Sequence, residues 1–304
     1  RAEIENFSGP YFALNTPCRD LPVSRFMLAR CVMTAGQAGI REVFRLGFFR
    51  LAELLCMTYA NTRIDSGNLI LSDSFHEQER TERGAISYRL GMGLAKAVAE
   101  ILLRIPWLVH LERVPNVVLS PTGTRRPPKL VKHVMPNTAR EPDLVGFDGA
   151  LRAHIFEAKG YSSGIPNTEL QHAINQVSQV DTVNGAAPET RVVSFFDTSE
   201  TPMFGKIIDP EGDSADADGL DVKIDPFQAV AAYYSFISED IERWSNAGQF
   251  LLQGRGFRVL AIGTPNYYFG VDDFVFSMIR SGQYTPERLA EIAEAFYSLT
   301  SQVD

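Results

Sequence analysis

Residues 141–160, EPDLVGFDGALRAHIFEAKG, constrain this chain more than any other stretch. Two short apolar runs, residues 144–147 and 151–156, stand on either side of Asp148-Gly149, which is a turn signal between strand-like segments. Pro142-Asp143 precedes the first run and Glu157-Ala158-Lys159 closes the second. Side chains alternate along a strand, so Glu157 and Lys159 share a face. Whether Asp143 joins them depends on the turn. A two-residue turn pairs Phe147 with Ala150 and Asp143 with His154, and sends Asp143 to the face opposite Glu157. A loop with an odd residue count around Gly149 and Ala150, such as a type I turn closed by a bulge at glycine, restores the shared face. The odd loop is the expectation.

If the three groups converge, their chemistry is specific. A hard cation such as Mg²⁺ takes one or two carboxylates and completes its shell with water and substrate phosphate. Asp143 and Glu157 are the candidate carboxylates, and Lys159 can steer a water toward phosphorus. Read as structure alone, the same stretch is an ordinary hairpin with solvated polar ends. The flanking elements therefore carry the weight. Residues 81–104 read as one helix, with Ile86, Leu90, Leu94, Ala97 and Ile101 at helical spacing. Residues 107–114 read as a strand after Pro106. Residues 167–180 read as a helix with Leu170, Ile174 and Val177 inward, and residues 191–196 as a β-branched and aromatic strand.

Pro142-Asp143 followed by Glu157-Ala158-Lys159, in this succession of elements, resembles the PD-(D/E)XK nuclease superfamily over roughly residues 78–198. The resemblance implies an α/β fold of the restriction-endonuclease type, with a mixed central sheet flanked by helices. It implies Mg²⁺, with Mn²⁺ as the alternative, held by Asp143, Glu157 and the backbone carbonyl of Ala158, while Lys159 positions the attacking water. In that family the first helix often adds a glutamate. Glu82, one turn before Ile86 on the apolar stripe, is the candidate, with Glu79 and Glu77 as alternatives; a solvated, charged helix start is the plain structural reading of the same run. Gln171 matches a glutamine that some members carry on the next helix, although Asn175 stands where they have tyrosine.

The resemblance implies a Mg²⁺-dependent endodeoxyribonuclease. A catalytically degenerate binding or assembly module, a nuclease toxin domain and an RNA-cleaving variant are the alternatives. The net charge of −8 opposes a freely acting nuclease, because phosphate neutralisation supplies much of the affinity for DNA. Arg125, Arg126, Lys129, Lys132 and Arg140 crowd one segment, however, and are candidate phosphate contacts. Residues 209–225 form a dense acidic loop whose DxDxDG-like fragment lacks the glutamate of a calcium-binding hand. Tyr267, Tyr268 and Phe269 are core aromatics or a stacking platform for bases.

The organisation read from the sequence is an N-terminal helical region over 1–75, the nuclease core over 76–265 and a helical extension over 266–304 packed on the core. The C-terminal third is expected to add a helix from 225 to 243, a strand over 257–262 and a last helix from 285 to about 299. The N-terminal region is expected to pack against the nuclease core, with an oligomer contact through Phe44, Phe48, Phe49 and Met57 as the alternative; an inhibitory or immunity protein is a further candidate partner. No apolar run is long enough to span a bilayer. Cys18, Cys31 and Cys56 lack zinc-ligand spacing and read as reduced, so a cytoplasmic protein is expected. Gly91-Met92-Gly93 lies inside a helical pattern, and neither a P-loop nor a GxSxG elbow is present.

Overall fold

The computed structural model describes residues 1–35, 48–121, 129–130, 142–211, 219–238, 240–252, 254–261 and 268–300. The chain opens with β1 (Ala2–Glu5) and β2 (Thr16–Arg19), then α1 (Arg25–Thr34) and α2 (Phe48–Asn61). A hairpin of β3 (Thr62–Asp65) and β4 (Asn68–Leu71) leads through the short α3 (Asp73–His76) into α4 (Arg80–Leu103). Next come β5 (Trp107–His110), β6 (Val118–Pro121), β7 (Lys129–Leu130), β8 (Leu144–Phe147) and β9 (Ala153–Tyr161). They are followed by α5 (Asn167–Ser178), β10 (Val180–Val183), β11 (Thr190–Asp197), β12 (Phe204–Ile208) and β13 (Leu220–Lys223). The C-terminal third holds α6 (Pro226–Tyr233), α7 (Ser235–Ser238), α8 (Ile241–Ser245), β14 (Gly248–Leu252), β15 (Arg255–Ala261), β16 (Tyr268–Asp272), α9 (Asp273–Ser281) and α10 (Pro286–Thr300).

A seven-stranded sheet in the order β2-β1-β12-β11-β9-β8-β5 forms the centre. It is mixed: β1 runs parallel to β12 and β9 parallel to β11, while the remaining neighbours are antiparallel. Alternation along the strands divides its side chains between two cores. Leu144, Phe156, Ala158, Val192 and Phe196 pack beneath α1, α2 and α4, against Leu28, Val32, Leu54, Leu90, Leu94 and Val98. Trp107, Val145, Phe147, Ile155, Val193 and Phe195 face the other way, toward Ala173 and Val177 of α5, Val230 of α6, Phe276 of α9 and Leu289 of α10. The chain is thus an α/β protein with a large mixed sheet between helical layers, as expected. Among the described residues no helix is long and apolar enough to cross a membrane.

Three expectations about organisation need correction. Residues 1–75 are not purely helical, because β1 and β2 belong to the central sheet and β3 and β4 form a hairpin. The segment expected as one helix over 225–243 breaks into α6, α7 and α8, the first capped by Asp225, whose carboxylate accepts from Phe227 N at 2.9 Å. A boundary at 265/266 would cut a sheet, since β15 pairs antiparallel with β16.

Within the helical layer, Lys96 and Glu100 of α4 are buried side by side, 3.2 Å apart, and Arg30 of α1 pairs with the same carboxylate. Lys96 also donates to the Pro106 carbonyl. Those bonds satisfy charges that would otherwise be costly to bury. The triad fixes α1 against α4, the helix that crosses β9 next to the candidate site.

Candidate functional site

The β8–β9 hairpin decides whether the site exists. Phe147 pairs with Ala153 and Leu144 with Phe156, so the loop between the paired residues is odd. Asp148 N donates to Arg152 O at 3.2 Å, which leaves Gly149, Ala150 and Leu151 at the tip. Leu151, not a glycine, takes the left-handed backbone, with φ 61°. The Asp148 carboxylate stabilises this tip: Oδ1 accepts from Ala150 N and Arg152 N, each at 2.9 Å, and Oδ2 from Arg152 Nε at 2.7 Å. The odd loop sets Asp143 opposite Glu157, on the face that carries Val145, Ile155 and Lys159.

Three charged groups meet at that end of the hairpin. Lys159 Nζ lies 2.5 Å from Glu157 Oε1 and 3.7 Å from Asp143 Oδ2. The Asp143 backbone N donates to Glu157 Oε2 at 3.0 Å. Glu157 is fully buried, whereas the side chains of Asp143 and Lys159 are each 25% exposed. Burial and the neighbouring Asp143 carboxylate push the Glu157 carboxyl up to about 7, against the pull of Lys159. Burial alone would lower the Lys159 ammonium, but Glu157 and then Asp143 outweigh it and hold it above its usual range. A carboxylate of this kind gains from any further positive charge placed beside it.

Ala158 has its methyl in the opposite core. The bond from Asp148 N to Arg152 O fixes which peptide groups of β9 face β8, and by alternation those of Phe156 and Ala158 do. Since β8 begins at Leu144, opposite Phe156, the Ala158 carbonyl points to the side where β9 has outrun its partner, next to Pro142-Asp143.

Glu82 does not join the group. It is exposed in the first turn of α4, and among the described residues it forms no metal-holding cluster with Asp143 and Glu157. Helical periodicity identified the stripe that meets the sheet but not which turn comes to the site. Among the described residues no cluster of three or more His, Cys, Asp or Glu side chains is placed to hold a metal, so the acids that meet here number two. Gln171 is exposed on α5 and donates to Asn175 Oδ1 at 3.1 Å; the two amides serve each other. His154, on the face away from Glu157, is buried with Nδ1 2.9 Å from Thr190 Oγ1. Arg125, Arg126, Lys132, Arg140 and Tyr267 lie outside the described residues, as do Phe44 and residues 212–218 of the acidic loop; Lys129 falls in β7.

The sequence reading missed three aromatic residues around the site. Tyr161 is two residues beyond Lys159 and so on the same face, a placement alternation already implies. Its ring stacks on Phe195 at 5.5 Å and 9°, and Phe195 stands opposite Lys159 in the register. Tyr88 comes from α4, brought in by a glycine crossing. A Cβ at Gly160 would lie 1.9 Å from Ser87 O, and one at Gly91 would lie 2.5 Å from Gly160 N. Gly91 was the signal, because a glycine inside a helix marks close backbone approach.

No protein-family model, curated protein or solved structure matches the chain.

Proposed function

We propose that this chain is a metal-dependent nuclease that hydrolyses phosphodiester bonds, with DNA as its substrate. The observation that carries the reading is the convergence of Asp143, Glu157 and Lys159 on one face at one end of a hairpin. The order of elements supports it. Helix α4, strands β5, β8 and β9, helix α5 and strand β11 reproduce the helix, three strands, helix and strand of the restriction-endonuclease-like fold, interrupted by β6, β7 and β10 in a second sheet.

The donor set fits a hard divalent cation: two carboxylate oxygens and a backbone carbonyl at Ala158, with room left in such a shell for water and phosphate. Glu157 Oε1 has no aligned hydrogen-bond donor, and what it meets is the Lys159 ammonium. Asp143, Glu157 and Ala158 would hold Mg²⁺ or Mn²⁺, which when bound neutralises phosphate charge and acidifies a bound water. The protein groups then have distinct duties. Glu157, buried and anchored by Asp143 N, fixes one wall of the site. Asp143, partly exposed, faces the entering ligand. Lys159 orients a water and offsets negative charge as it grows on the phosphoryl oxygens.

The test is cleavage of supercoiled plasmid and of circular single-stranded DNA by the full chain in Mg²⁺ or Mn²⁺, with and without chelator. Glu157→Ala and Lys159→Ala should each lower the rate at least about a hundredfold, the scale expected when a charge-stabilising group is lost. Equal nicking by all three proteins, or a wild-type rate indifferent to chelator, sinks the reading. A folded wild type that binds metal-free DNA without cutting it would instead favour the degenerate binding module, which the net charge of −8 makes the leading rival.

A further inference from the structure

Tyr88 is a large aromatic left in solvent beside the candidate site. The residue is 47% exposed, although Ile86, Ser87 and Leu90 around it on α4 are buried. The glycine crossing explains how it comes to be there. Gly91 and Gly160 lack the Cβ atoms that would hold helix and strand apart, so the Ser87 carbonyl sits directly over the strand residue that follows Lys159. Tyr88 is the next residue along the helix. Burial, and then the Asp143 carboxylate, hold its phenol above the ordinary range, with Lys159 pulling the other way. The crossing thus sets Tyr88 beside the stretch of β9 that carries Lys159.

On the core side of Lys159 lies the Tyr161–Phe195 stack. Among the described residues the pairing of β8 with β9 ends at Leu144 opposite Phe156, so Glu157, Lys159 and Tyr161 lie on the stretch of β9 beyond it. The site thus offers one cation already shared by two carboxylates, with an exposed aromatic residue on the helix that crosses β9 beside it. A duplex presents a dense array of phosphates to such a surface and hides the faces of its bases in the stack. A single strand has lower charge density and exposes a π-face on every base.

We propose that Tyr88 is a substrate-contacting residue whose ring stacks on the base next to the phosphate held at Asp143, Glu157 and Lys159, so that the substrate is nucleic acid unpaired at that point. The inference rests on the nuclease reading of the same site and adds the strandedness of its substrate and a residue that selects it.

The experiment is fluorescence anisotropy with a fluorescein-labelled phosphorothioate oligonucleotide, single-stranded or annealed to its complement, titrated with the full chain in Mg²⁺. Wild type should bind the single strand more tightly than the duplex. Tyr88→Ala should weaken single-strand binding about tenfold, the scale of one lost base–aromatic stack, and leave duplex binding unchanged. Tyr88→Phe keeps the ring and should bind like wild type. Because Tyr88 is exposed, its variants should melt with the wild type. Single-strand binding by Tyr88→Ala equal to wild type, or a duplex bound as tightly as the single strand, overturns the proposal. Wild type that binds the single strand in this Tyr88-dependent way but cleaves nothing overturns the nuclease reading alone. Wild type that binds neither probe overturns both.

Discussion

The two ends of the β8–β9 hairpin each carry a buried acid, and the fold treats them in opposite ways. At the turn, burial alone would raise the Asp148 carboxyl, but the His154 ring 4.0 Å away and the hydrogen bonds and charge of Arg152 outweigh it and hold the group at about 2. At the open end, burial and Asp143 act together on Glu157, Lys159 only partly offsets them, and the carboxyl rises to about 7. Asp148 spends its oxygens on the loop, with two backbone N–H groups and one guanidinium. Glu157 has one backbone N–H and one ammonium, and the acid beside it is partly open to solvent. One acid is saturated by the fold and the other is left short of positive charge. Acids whose environments push their pKa values apart generally have different roles, and here the turn end reads as structure and the open end as function.

The contrast breaks most severely at the glycine crossing. Gly160→Ala sets a methyl 1.9 Å from the Ser87 carbonyl, backbone against backbone. The expected loss is about 3 kcal/mol or more, the upper range of overpacking, seen as loss of soluble protein or of a cooperative melt. A Gly160→Ala variant that melts with wild type would show that α4 and β9 are not in contact and would detach Tyr88 from the site.

Asp148→Asn should cost about 2 kcal/mol near neutral pH in denaturant unfolding, from the gap between about 2 and the usual 3.8. The folded pKa is depressed, so the wild-type advantage is present above pH 4 and is lost as pH falls toward 2. Cleavage per folded molecule should not change. A large drop in that rate would erase the division between the two ends.

Glu157→Gln is the opposite case. Its folded pKa is raised from 4.5 to about 7, so the wild type loses stability as pH rises through that window while the glutamine variant does not. In chelator the variant should gain about 3 kcal/mol on the wild type between pH 4.5 and pH 8, read as a melting difference that widens with pH. A difference independent of pH would mean that Glu157 is not strained by its burial.

Much of the hairpin was legible before any coordinates. Its two apolar runs, the turn signal and the two-residue repeat left only the parity of the loop open, and a shared site required it to be odd. The residue that solves the turn was not foreseen: Leu151 adopts the left-handed backbone because Asp148 holds the loop from both sides. Periodicity also located α4 to within a residue at each end. What it could not give was which turn of α4 comes to the site: the glycine crossing brings the turn of Ser87 and Tyr88 to β9, while Glu82 stands exposed in the first turn. The strands β1 and β2 were invisible for another reason. At four residues each, with AEIE and TPCR as their sequences, they hold too little apolar pattern to register, and what makes them strands is a partner far away in the chain.

That partner is β12, which pairs with β1 in parallel register from Ala2 with Gly205 to Glu5 with Ile208. During synthesis these first residues must wait for about two hundred more before their place in the sheet exists, roughly 10–40 s at ordinary translation rates. Until then β11 has no β12 beside it and the sheet presents an unfinished border, the kind of surface that invites another chain to pair. For a protein read as a nuclease the delay has a protective side. Completion of the scaffold is tied to emergence of the chain well past its acids and lysine, so a truncated product ending before β12 would carry Asp143, Glu157 and Lys159 without the layer that holds them in place.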